Sequence, residues 1–216
     1  GILNMAKRKT TVDSVSDDDD FFAECATNTG GDVLDSIDSI KYFVDTGCFA
    51  LNYICSGKFI SGGVPGGKLT EVFGPSSSSK SLIGANILFG CQRAGGIAIL
   101  LDCENSANKE FINQASHCDV KRILRYTPQS LEQVFAKMYK VIEFIRTKKP
   151  DVPIVIVYDS IGVSPSEREL KEVALPENYT QADFKRIVGG HEQPGERAKI
   201  CSRELRKLNT VMEENY

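Results

Sequence analysis

Two uninterrupted apolar runs that each close on aspartate constrain this chain more than any other feature: Ile97-Ala98-Ile99-Leu100-Leu101-Asp102 and Ile154-Val155-Ile156-Val157-Tyr158-Asp159. A strand with one solvated face alternates apolar and polar residues, whereas an unbroken run suits a strand covered on both faces, as in a parallel sheet. Parallel neighbours need long crossovers, and the intervening sequence supplies them. From Ser130 to Thr147, Leu131, Val134, Phe135, Met138, Val141, Ile142 and Ile145 share one helical face, with Ser130 as N-cap and Pro150 and Pro153 beyond the end. Leu82 to Ala94 reads as a helix closed by Gly95-Gly96, residues 107–117 as a second helix, and Leu69–Phe73 and Ile123–Tyr126 as short strands. Strand alternating with helix predicts an α/β fold with a mainly parallel β-sheet flanked by helices.

Ligands of such sheets bind beyond the carboxyl ends of the strands, where Gly74, Asp102 with Glu104, and Asp159 fall. The stretch EVFGPSSSSKSLIG at 71–84 matches the phosphate-loop template G-x-x-x-x-G-K-[ST] at Gly74, Lys80 and Ser81, with Ser79 in place of the second glycine. The template curls backbone N–H groups around phosphate, sets its lysine at the β/γ-phosphates and its hydroxyl on Mg2+. A serine before the lysine either holds a positive φ at a cost of about 1 kcal/mol or reshapes the turn. A serine-rich linker would explain neither Lys80-Ser81 nor the two acidic strand ends. Asp159 reads as a carboxylate that supports a Mg2+ shell, although many strands end in an aspartate that only caps a turn. Glu104 reads as a general base that orients water for in-line attack; the alternative is that Asp102 or Glu104 caps the following helix.

Charge and composition set the surroundings. Residues 1–45 carry four Lys/Arg against ten Asp/Glu, while the rest carries twenty-two against nineteen, so only the second part leans towards a nucleic-acid partner. Residues 1–4 precede Met5, which reads as a start followed by a polar leader. Residues 1–20 end in DDDD and are expected to be a disordered acidic leader, the alternative being that DDDD caps a helix at FFAECA. Residues 21–48 are expected to form a short helical N-terminal element, with Val33, Leu34, Ile37 and Ile40 on one face, and 49–216 the nucleotide-binding core. Seven scattered cysteines without a CxxC pair read as reduced, mostly buried thiols. No apolar run approaches the roughly 18–20 residues of a membrane helix, which points to a cytoplasmic protein without a membrane partner.

Four stretches, LNYICSGKFISGGVPGGKLTEVFGPSSSSKS, AILLDCENSANKEF, YTPQSLEQ and IVIVYDSIGVSP, together resemble bacterial RecA and the strand-exchange recombinases of T-even-like and other phages, over roughly residues 44–210. The resemblance implies a RecA-like P-loop NTPase core and a DNA-dependent ATPase that forms filaments on single-stranded DNA for homologous pairing, strand exchange and repair. Phage members replace the glycine before the lysine, so Ser79 is expected to be a feature of that branch, in the cytoplasm of an infected bacterial cell. Position by position, the resemblance implies ATP contacts at Gly74, Pro75, Ser76, Ser77, Ser78, Ser79, Lys80, Ser81 and Leu82, with catalytic roles for Lys80 and Glu104. It implies Mg2+ at Ser81 and, through water, at Asp159, and places Asn108 and Phe111 near the adenine ring.

Beyond Pro165 the family has a mobile DNA-binding loop; residues 165–196 are longer than the bacterial pattern, and the alignment there is loose. In GERAKICSRELRKLN, Lys199, Arg203 and Arg206 share one helical face, and with Arg197 they are candidate contacts to DNA phosphates; the alternative is a solvated basic face paired with Glu196 and Glu204. The chain stops where the family continues into a further strand and a second DNA-binding loop, so a C-terminally truncated core, inactive on its own, is expected. The implied partners are single- and double-stranded DNA, further copies of the chain in a filament, and a loader or single-strand-binding protein. The competing readings are a RecA-like helicase or regulatory ATPase core, and an ATP-gated DNA-binding filament module with little hydrolysis.

Overall fold

A computed structural model describes residues 15–31, 40–105, 107–173 and 195–214. The chain divides into two compact units, Gly1–Ser39 and Ile40–Tyr216. In the first, helix α1 spans Val15–Thr29. Residues 15–20, which the sequence reading placed in an acidic leader, belong to this helix. Positions 17–20 fall in the opening turns of α1, where acidic residue types favour a helix start. Gly30 closes the helix at φ 71°, and the Gly31 N–H donates to the Ala26 carbonyl at 3.0 Å. Residues 1–14 and most of the expected helical face at 33–40 lie outside the described residues.

The second unit opens with a small antiparallel pair, β1 (Phe43–Val44) and β2 (Val64–Pro65), around helix α2 (Phe49–Ser56). Helix α3 (Lys80–Arg93) follows, then β3 (Ile97–Asp102), α4 (Lys109–Ser116), β4 (Ile123–Tyr126), α5 (Leu131–Lys148) and β5 (Ile154–Asp159). The three long strands form a parallel sheet in the order β4-β3-β5. Alternate residues of β3 serve opposite faces, as pleating requires. Leu101 joins Leu131, Val134, Phe135, Met138 and Ile142 of α5, whereas Ala98 and Leu100 join Leu88 of α3 and Cys118. Two-sided burial is thus the reason β3 reads as an unbroken apolar run. Among the described residues, α6 (Glu167–Val173) and α7 (Glu196–Glu214) follow; Ile200 and Leu208 of α7 complete the α5 face of the core.

Leu69–Phe73 is not a strand: it carries no ladder, and Leu69, Val72 and Phe73 are exposed. A strand persists only where a neighbour takes up its N–H and C=O groups, and no described segment pairs with this one. The sheet accordingly ends at β5, whose residues are only half-buried. Helix α4 is shorter than the expected 107–117, because the Asn108 side chain accepts the Phe111 N–H and so sets the helix start.

Glycines let α3 approach its neighbours closely. A Cβ on Gly84 would sit 3.1 Å from Val157 Cγ1 of β5, and one on Gly90 only 2.0 Å from the Asp45 carbonyl oxygen. Gly90→Ala should therefore destabilise the chain by about 2 kcal/mol, because backbone overlap outweighs alanine's better helix propensity. A urea denaturation midpoint equal to that of the parent would contradict this packing.

Candidate nucleotide site

Residues 74–81 bridge from the irregular 69–73 segment into the first turn of α3. Ser79 caps that helix at φ 64°, ψ 20°, and Ser77 also has a positive φ, 61°. Of the two expectations for Ser79, the left-handed backbone is the one adopted, at a cost of about 1 kcal/mol. That geometry starts α3 at Lys80, two residues earlier than periodicity suggests, and brings the positive end of its dipole to the loop.

The lysine folds back over its own loop. Lys80 Nζ donates to the carbonyls of Gly74 at 3.0 Å and Pro75 at 2.7 Å. Ser81 Oγ donates to Asp159 Oδ2 at 2.7 Å, which joins the head of α3 to the tip of β5 across 78 residues of sequence. The neighbouring strand end contributes Glu104, an exposed residue whose Oε1 accepts Ser160 Oγ–H at 2.8 Å. The Cys103 N–H also donates to the Asp159 carbonyl at 2.9 Å, so the β3 and β5 ends are tied at backbone level. The structure thus gathers Gly74, Pro75, Lys80, Ser81 and Asp159 in one bonded set and ties Glu104 to the residue next to Asp159. Ser76, Ser77 and Ser78 form the exposed arch of the loop, and Leu82 is half-buried in the first turn of α3.

Asp102 does different work from Glu104. It is 2% exposed and accepts Arg125 Nε at 2.9 Å, Arg125 Nη2 at 2.5 Å and the Ala107 N–H at 3.1 Å. Arg125 also donates to Asn105 Oδ1 at 2.6 Å. The pair therefore staples the loop that carries Glu104. Arg125 and Ser160 escaped the sequence reading; the only signal for Arg125 was a cation interrupting the apolar strand ILRY. Asn108 is occupied as the cap of α4, and Phe111 is half exposed; neither hydrogen-bonds to the phosphate loop among the described residues.

A hydroxyl and a carboxylate in contact are hard oxygen donors of the kind Mg2+ takes together with substrate phosphates and water. Ser81 and Asp159 fit that role. Among the described residues no cluster of three or more His, Cys, Asp or Glu forms an all-protein metal cage. The seven cysteines are free, and burial pushes the Cys91 and Cys118 thiols up to about 11. Among the described residues, no helix is long and apolar enough to cross a membrane.

Helix α7 shows two faces. Ile200, Glu204 and Leu208 are buried, whereas Lys199, Arg203 and Arg206 are exposed together, as their spacing predicts. Lys199 and Arg206 have no ion-pair partner among the described residues. Arg203 Nε pairs with Glu204 at 2.7 Å, Lys207 Nζ with the same carboxylate at 3.1 Å, and Glu196 with Arg168 at 3.9 Å. Arg197 donates to the Gly162 carbonyl at 3.3 Å and pairs with Glu169 at 3.5 Å. The expected loop at 165–196 lies outside the described residues over 174–194.

Glu204 also accepts the Tyr139 hydroxyl of α5 at 3.0 Å. Burial raises its pKa, but hydrogen bonds from Arg203, Lys207 and Tyr139 outweigh burial and leave it below the ordinary 4.5. A lowered carboxylate contributes stability that is present above its unfolded value and lost as pH falls through the folded one. Glu204→Gln should therefore be less stable than the parent at pH 7, with the difference shrinking below about pH 4.5; a deficit that is independent of pH would sink this assignment.

Residues 19–216 match the family model described as the RecA N-terminal domain. The chain is 30% identical to Protein RecA of Ureaplasma parvum over 151 residues, 69% of this chain and 38% of that protein. It is 28% identical to Protein RecA of Chloroherpeton thalassium over 165 residues, 76% of this chain and 39% of that protein. Against Protein RecA of Helicobacter pylori it is 26% identical over 211 residues, 97% of this chain and 52% of that protein. The chain thus spans between about two-fifths and half of these relatives.

Proposed function

This chain belongs to the RecA family, and from that premise we propose that it supplies the nucleotide-binding core of a DNA-dependent ATPase that acts in homologous recombination. The observation that carries the reading is the 2.7 Å bond between Ser81 and Asp159, with Glu104 one strand away. Backbone N–H groups of residues 76–81 and the Lys80 ammonium would hold the β- and γ-phosphates of ATP. Lys80 would exchange its two neutral carbonyl partners for anionic phosphate oxygens, which add ion-pair attraction to bonds its ammonium already makes. Ser81 and Asp159 would hold Mg2+, which supplies charge neutralisation at the phosphates when bound. Glu104 orients the attacking water and accepts its proton in the reading proposed here.

Single-stranded DNA is the proposed polymer partner, met by Lys199, Arg203 and Arg206 on the outer face of α7 with Arg197 at its start. Further copies of the chain, duplex DNA and a loading or single-strand-binding protein complete the proposed recombination assembly. Serine in place of glycine at position 79 supports a place for the chain among phage-type recombinases.

Two measurements test the site and the surface separately. Lys80→Ala should weaken ATP binding at least tenfold, and Glu104→Gln should lower turnover by roughly 100-fold or more while ATP still binds; unchanged binding in the first variant removes the phosphate-loop assignment. Replacing Lys199, Arg203 and Arg206 together by alanine should weaken single-stranded DNA binding and reduce the slope of log K against log salt by about 2, at roughly 0.7 per lost phosphate contact. An unaltered slope would show that this face touches no DNA.

A further inference from the structure

Glu104 is exposed and sits in the short loop between β3 and α4, a position that leaves a glutamate free to rotate. Among the described residues, its carboxylate has one hydrogen-bond partner, Ser160 Oγ–H on Oε1 at 2.8 Å. Ser160 follows Asp159 directly, so the same strand end presents one oxygen group to Ser81 and the next residue to Glu104. The segment behind Ser160 is firmly held. Ser164 and Ser166 are buried at 2% and 0% exposure, and the Tyr158 hydroxyl donates to Ser164 Oγ at 2.7 Å. The Pro165 carbonyl accepts the Leu131 N–H at the start of α5 at 2.9 Å, and Arg197 of α7 holds the Gly162 carbonyl.

We propose that Ser160 is the positioning residue for Glu104, holding Oε1 so that Oε2 is presented towards the water that attacks the nucleotide. The proposal rests on the reading of Glu104 as the base and adds a residue to it. A hydroxyl donor restricts the side chain of a flexible carboxylate without adding charge, so its loss leaves nucleotide affinity alone and reduces the fraction of enzyme with the base in place. Asp102 accepts the Ala107 N–H and Arg125 donates to Asn105, so the loop is held from its far side while Ser160 holds the Glu104 carboxylate itself.

The test places Ser160→Ala, Ser160→Thr and Glu104→Gln in the DNA-dependent ATPase whose core this chain is proposed to supply, with single-stranded DNA present, and reads ATP turnover together with a crystal structure of each variant. Ser160→Ala should lower kcat roughly tenfold with KM for ATP within about twofold of the parent. Ser160→Thr, which keeps the hydroxyl, should restore turnover, and Ser160→Ala should add no further loss to Glu104→Gln. In the Ser160→Ala structure, the Glu104 carboxylate should leave its parental position while the Ser81–Asp159 bond persists. A kcat equal to that of the parent, a rise in KM alone, or an effect equally large in the Glu104→Gln background overturns the proposal. If Glu104→Gln itself retains turnover, the assignment of the base fails, and the structures alone decide the positioning role: Glu104 unmoved in Ser160→Ala overturns that as well.

Discussion

The parallel ladder between β3 and β5 is the interaction on which the site depends. Its register runs from Ile97 opposite Ile154 to Asp102 opposite Asp159, so two strands from distant parts of the chain end at the same level. Helix α3 lies against this ladder because Gly84 lets its backbone approach Val157. That contact brings the head of α3, with Lys80 and Ser81, to the strand tips. Slip the register by one residue and every side chain of β5 changes face: Asp159 would turn from Ser81, and the apolar run would lose one of its two cores.

Charge at the strand ends is sorted by burial. Asp102 is enclosed and neutralised by Arg125, which leaves it no role towards a ligand and makes it a staple for the 103–107 loop. Asp159 and Glu104 stay accessible and are held by hydroxyls, Ser81 and Ser160, rather than by cations. A carboxylate held by a neutral donor keeps its full charge for a metal ion or a proton, whereas one locked to a guanidinium does not. Lys80 follows the same logic, because its partners are neutral backbone carbonyls and not a carboxylate, so the proposed phosphate would break no ion pair there.

Legibility in the sequence followed the reach of the forces involved. The strands β3 and β5 and the helix α5 were readable because two-sided or periodic burial leaves a mark on every residue along the element. The 74–81 loop was marked in the sequence by Lys80-Ser81 ahead of a helix, but not by its backbone, because Ser77 and Ser79 hold the positive φ that usually signals glycine. Leu69–Phe73 looked like a strand by composition, but strand formation needs a partner, and composition cannot say where that partner lies. The start of α1 stayed ambiguous in the sequence because an acidic run suits a solvated leader and a helix start equally well. Arg125 and Ser160 were invisible for a different reason: each acts through one contact made across strands, and a single serine after an aspartate carries no pattern.

Helix α7 carries this sorting of charge to the proposed DNA surface. Its buried Glu204 is enclosed by Tyr139, Arg203 and Lys207, so the bond that docks the helix on α5 also draws Arg203 towards a carboxylate. Lys199 and Arg206 have no such rival among the described residues. On the proposed DNA surface a phosphate at Arg203 would have to compete with Glu204, whereas one at Lys199 or Arg206 would displace no ion pair among the described residues. The basic face is therefore graded in strength, and Arg197 adds a further contest, because its guanidinium holds the Gly162 carbonyl and Glu169. A phosphate that captured Arg197 would loosen a brace on the segment that begins at Ser160, and so would connect the proposed polymer surface to the proposed nucleotide site through a few named bonds.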